Sequence, residues 1–60
     1  MNFTEVQHYA EQLYAAHGDK AEAEAAQKVT QYEGEGDTEQ AEIWRKIRAA
    51  VRQMRGPGVS

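Results

Sequence analysis

The sequence predicts an all-α domain of three short helices. Three observations carry that expectation. Helix-start chemistry recurs three times, glycines close each segment, and apolar residues return every three or four positions while no stretch alternates as a strand would. The expected helices run over about 4–17, 20–33 and 38–55, forming a three-helix domain at 1–55 with a flexible tail at 56–60.

The first helix opens on Thr4-Glu5-Val6-Gln7, which has the form of a capping box: Thr4 covers orphan amides and Gln7 reaches back. Phe3, Val6, Ala10, Leu13 and His17 then recur at helical spacing with Tyr14 beside them, and Gly18 provides a left-handed stop. Asp19-Lys20-Ala21-Glu22 repeats the capping logic for the second helix. Its apolar face, Ala21, Ala25, Val29 and Tyr32, is narrow, and the alanines let a neighbouring backbone come close. Gly34-Glu35-Gly36 separates the second helix from the third. Asp37 or Thr38 opens the third helix, with Gln40 three residues after Asp37. Trp44, Ile47, Val51 and Met54 form its stripe, flanked by Ile43 and Ala50, and Gly56-Pro57-Gly58 ends it. The expected core is Leu13, Val29, Tyr32, Trp44, Ile47 and Val51, with Trp44 its largest contributor.

One feature repeats at an offset of 18 residues: Gly18-Asp19 and Gly36-Asp37 are each followed by Ala-Glu and then Lys-aliphatic. That offset is far short of the roughly 34 residues of a two-helix repeat unit, so it reads as two helices beginning with similar chemistry.

Sixty residues allow one domain with a thin core, because a chain this short buries only about 60% of its unfolded surface. No cysteine is present to add a disulfide or a thiolate metal site. No apolar run approaches the roughly 18 residues of a membrane span, and the alanines of the first half are interrupted by glutamates, unlike a signal h-region. A cytoplasmic protein without a membrane role is the expectation. A partner, a second copy included, is the usual remaining source of stability, so a dimer or larger complex is expected, with another protein or as a homo-oligomer.

Charge is sharply divided along the chain. Residues 1–44 hold all ten acids against Lys20 and Lys28, whereas residues 45–60 hold five cations and no acid, for a net −3. Such a molecule can neutralise itself, pair with a copy, or offer a basic helix to an anionic partner. At about 100° per residue, Arg45, Arg48, Arg52 and Arg55 share one quadrant of the third helix, beside its apolar stripe. They are the candidate partner- or anion-binding residues, since guanidinium groups grip carboxylates and phosphates in pairs of hydrogen bonds. The alternative is that they answer Glu11, Glu22, Glu24 or Glu42 within the fold or across a dimer. A net acidic chain disfavours nucleic acid as the partner. Tyr9, at the edge of the first helix's apolar face, is the candidate interface aromatic.

Catalytic and metal chemistry find little support. The only serine is Ser60, and without cysteine neither Ser/His/Asp nor Cys/His nucleophilic sets can form. His8 has Glu11 and Gln12 in reach and His17 precedes Asp19, which falls short of the three or four ligands a metal needs; His17 instead suits a cap on the last turn of its helix. Gly34-Glu35-Gly36 has acidic flanks that repel phosphate. No enzyme activity and no cofactor are expected.

The run His17-Gly18-Asp19, the alanine–glutamate helix after it, Gly36-Asp37 and the stretch from Ala41-Glu42-Ile43-Trp44 to Arg48-Ala49-Ala50 together resemble small helical proteins of alphaproteobacteria that have no assigned activity. The resemblance implies a bacterial cytoplasmic protein and transfers no site residues. From the residues, the expected role is a non-enzymatic protein–protein interaction module, a homodimer or an adaptor. The alternative is anion or nucleic-acid binding through the arginine stripe.

Overall fold

In the computed structural model, which describes residues 1–56, the chain forms α1 (Phe3–His17), α2 (Lys20–Gly34) and α3 (Thr38–Met54). These lie within a residue of the expected boundaries. The expected tail begins at Gly56, which lies past the helix with φ +87°; residues 57–60 lie outside the described residues. Among the described residues no helix is long and apolar enough to cross a membrane.

Each helix start has its own solution. On α1 the cap is Asn2 rather than Thr4: Asn2 Oδ1 accepts from the Glu5 N–H at 2.8 Å, and Glu5 Oε1 accepts from the Asn2 N–H at 3.1 Å. The same box pattern is written two residues earlier in the sequence, and asparagine outranks threonine as a cap. Asp19 does not cap α2 with its side chain. It already has helical φ and ψ, and the Gly18 carbonyl accepts the Ala21 N–H at 3.0 Å instead. Gly18 itself has φ +60°, as its stop role requires, and its N–H donates to the Tyr14 carbonyl at 2.8 Å. Asp37 is the cap of α3, accepting from the Gln40 N–H at 3.1 Å. Asp37→Ala is expected to lower stability by about 1 kcal/mol, read from the shift in urea midpoint at unchanged slope.

Helix α3 packs against both other helices, most extensively against α2, while α1 and α2 touch each other least. The core is built largely from alanine: among the described residues Ala10, Ala21, Ala25, Ala41 and Ala50 are five of the nine buried hydrophobic residues, beside Val6, Val29, Ile47 and Val51. Ile47 and Val51 are the largest fully buried side chains. Alanine at the crossing brings helix backbones together, and helices that close leave no room for an indole between them. The large residues therefore ring the core. Leu13, Tyr14, Ile43, Trp44 and Met54 are half-buried and pack on its edge.

This corrects the expected core. Val29, Ile47 and Val51 are buried as anticipated, whereas Leu13, Tyr32 and Trp44 are only half-buried. Trp44 closes the core from outside, its ring meeting that of Tyr9 edge to face with centroids 5.6 Å apart. Phe3 departs further. It shares the apolar spacing of Val6 and Ala10, yet 77% of it is exposed. The α3 residues near the start of α1 are Lys46, Ala49, Ala50 and Gln53, which are too small or too polar to cover a phenyl ring.

Candidate interaction surface

Two surfaces flank α3, one toward α2 and one toward α1. The arginine stripe belongs to the first. Arg45 pairs with Glu33 near the end of α2, and Arg55 Nη1 donates to Glu22 Oε1 at 2.5 Å near its start, with Asp19 Oδ1 3.9 Å from Arg55 Nε. This end-to-end arrangement sets α2 and α3 antiparallel. The hydrogen bond to Glu22, and then the charge of Glu22, raises the pKa of Arg55, so its cation is fixed at every ordinary pH. Glu22 was among the expected partners and Glu33 was not.

The middle of the stripe is different. Among the described residues, Arg48 and Arg52 have no carboxylate within 4.0 Å and both are exposed. The spacing on α2 explains it: Glu22, Ala26, Val29 and Glu33 follow one another along a single face, so acids stand only at the two ends. Two of the four arginines thus neutralise the fold's own acids, and two present their charge to solvent.

The other surface is apolar. A groove of about 390 Å³ runs between the start of α1 and the outer side of α3, with Phe3 and Val6 on one wall and Ala49 and Ala50 on the other. Met1 and Val6 also line it. They hold the positions just before the Asn2 cap and four residues into the helix, which pair in a hydrophobic staple. Met1 is 55% exposed. Tyr9, the expected interface aromatic, is 38% exposed and lines a neighbouring depression with Met1 and Glu5, although its ring is also engaged by Trp44. Contiguous exposed apolar residues edged by polar ones make this the candidate association surface of the chain.

The exposure of Phe3 is hidden in the sequence because its spacing is that of a core residue. The one sequence signal was Asn2: a cap there puts Phe3 in the first helical turn, at the margin of any bundle.

The histidines serve other ends. His8 Nε2 lies 3.2 Å from Gln12 Nε2 on the same helix. His17 does not merely finish α1 but reaches forward to α2, with Nδ1 2.5 Å from Glu24 Oε1. That oxygen is shielded from solvent and has no hydrogen-bond partner among the described residues, with the His17 ring its near neighbour. Among the described residues no three His, Asp or Glu side chains gather as a metal-binding group.

No family model, no curated protein and no solved structure matches this chain.

Proposed function

We propose that this chain is a non-enzymatic protein–protein interaction module acting in the cytoplasm, its partner another protein or a second copy of itself. The observation that carries the reading is the 77% exposure of Phe3 beside an apolar groove. A phenylalanine left in water forfeits about 1.5–3 kcal/mol of available burial, and a 60-residue chain has little stability to spare. Aromatic side chains in partly formed pockets are also the usual anchors of interfaces.

A photo-crosslinking benzophenone amino acid placed at position 3 tests this in cells that express the chain. The expected result is a discrete adduct, mapped by mass spectrometry to one partner peptide and lost when Ala49→Glu places a charge in the groove. The same probe at Lys28, exposed on α2, is expected to give none. Equal labelling from positions 3 and 28 would remove the reading.

A second reading, binding of an anion or nucleic acid, rests on the solvent-facing pair Arg48 and Arg52. Two free guanidinium groups on a net acidic chain neutralise too few phosphates for tight binding at physiological salt. Fluorescence anisotropy is therefore expected to find no submicromolar complex with a single- or double-stranded oligonucleotide at about 0.15 M salt. A complex that tightens steeply as salt is lowered, and is abolished by reversing Arg48 and Arg52 to glutamate, would put this reading first.

A further inference from the structure

We infer that the α1–α3 groove receives a second copy of this chain in a two-fold dimer, the Phe3 of each copy seated in the groove of the other. The inference rests on the interaction-module reading and names its partner. A two-fold interface uses one patch twice, so that patch must contain both a projection and the recess that accepts it. Phe3, largely exposed, stands on the wall of the groove that it lines with Val6, Ala49 and Ala50, so projection and recess share this face. The recess holds about 390 Å³, at the small end of pockets that enclose a ligand and suited to one aromatic side chain with its neighbours.

Charge selects the same face. Among the described residues Lys46 is the one charged side chain on the groove wall, Glu5 lies in the adjoining depression, and the exposed Glu42 stands one turn before Lys46 on α3. The face therefore carries both signs. Two copies meeting there can set Lys46 of each near an acid of the other. The opposite flank of α3 offers Arg48 and Arg52 with no acid within 4.0 Å among the described residues, a local excess of positive charge at the centre of that flank. A strongly acidic or basic partner would lack the matching single-sign field on the groove side.

Area agrees. A stable dimer at the small end buries about 600 Å² per partner, roughly a seventh of this chain's 4309 Å². The exposed side of α1, the helix least engaged by the others, and the adjoining strip of α3 can supply that fraction. The dimer would also cover Met1 and Phe3, adding apolar burial to a core whose large, fully buried side chains are Ile47 and Val51.

Sedimentation equilibrium of the full chain, from 5 μM to 1 mM at about 0.15 M salt, is the first measurement. The expected result is a mass rising to twice 6.8 kDa. Phe3→Ser and Ala49→Glu, each with its helicity intact by circular dichroism, are expected to raise the dissociation constant at least tenfold, while Arg48→Glu leaves it unchanged. An isotope-filtered nuclear Overhauser spectrum of mixed labelled and unlabelled wild type needs no variant. It is expected to show contacts between the Phe3 ring of one copy and the Ala49 methyl of the other. A monomer throughout the range overturns the inference, as does a dimer whose intermolecular contacts come from α2. If a monomeric chain still gives a discrete position-3 adduct with a different protein, the second copy is excluded and the module reading stands. If position 3 gives no discrete adduct either, both fall.

Discussion

Ile47→Ala is expected to cost about 2–5 kcal/mol, which for a chain of this length is most of its stability. Ile47 is 1% exposed on the face of α3 that joins the buried residues of all three helices. The alanines around it are already as small as a helix tolerates without loss of propensity, so they cannot expand to fill the space left behind. A cavity that cannot collapse lies at the costly end of the range. Ile47→Val removes one methylene and should cost only about 0.5–1.5 kcal/mol. Urea unfolding followed by circular dichroism, at one fixed protein concentration, separates the two. Fixed concentration matters because association adds to apparent stability. Equal midpoints for the two variants would mean that Ile47 is not the keystone of this core.

Ala25→Leu is expected to be nearly as damaging by the opposite route. Ala25 is fully buried on α2, in the cluster that includes Ile47 and Val51 of α3. Three added carbons have no void to enter, so α2 must move away from α3 or the leucine must take a strained rotamer. Overpacking of this kind costs about 1–3 kcal/mol or more. Moving α2 outward would also pull Glu33 from Arg45 and Glu22 from Arg55, the pairs that tie the two helices at their ends. Arg45–Glu33 is exposed and Arg55–Glu22 is open to solvent on its arginine side, so each contributes little and the penalty belongs to the packing. Ala23→Leu, on the exposed side of the same helix, is the matched control and should change stability by less than about 0.5 kcal/mol. Thermal melts of the two variants at equal concentration decide it: a melting temperature for Ala25→Leu as high as the control's would show that the α2–α3 seam has slack.

The candidate surface was only partly legible before folding. The arginine quadrant on α3 follows from helical angles alone, and all four residues do share one side of the helix. Which of them are free does not follow. That depends on where α2 places its acids, and the row Glu22, Ala26, Val29, Glu33 leaves the centre of the stripe without a carboxylate. Tyr9 was singled out for exposure at the edge of its helix, but its edge-to-face contact with Trp44 joins residues 35 positions apart that no local pattern relates. The groove beside Phe3 was not foreseen at all, because an apolar residue at core spacing reads as core until its neighbours are known.

What the sequence by itself determined about this protein is local. Helix number, the three helix spans, the positive φ of Gly18 and a third helix start at Asp37 or Thr38, of which Asp37 is the cap, are each decided within about four residues, the reach of a helical hydrogen bond or a capping side chain. Even the misassigned cap of α1 came from two overlapping local signals, Asn2 with Glu5 and Thr4 with Gln7, of which the stronger prevailed. Only the tertiary structure decided that Trp44 would ring the core, that Phe3 would face water, and that Arg45 and Arg55 would be engaged while Arg48 and Arg52 were not. The physical reason is helix spacing. Alanines at Ala10, Ala21, Ala25, Ala41 and Ala50 set how closely the backbones approach, and that distance, which no single helix encodes, sorts each larger side chain into the core, onto its rim or out into solvent.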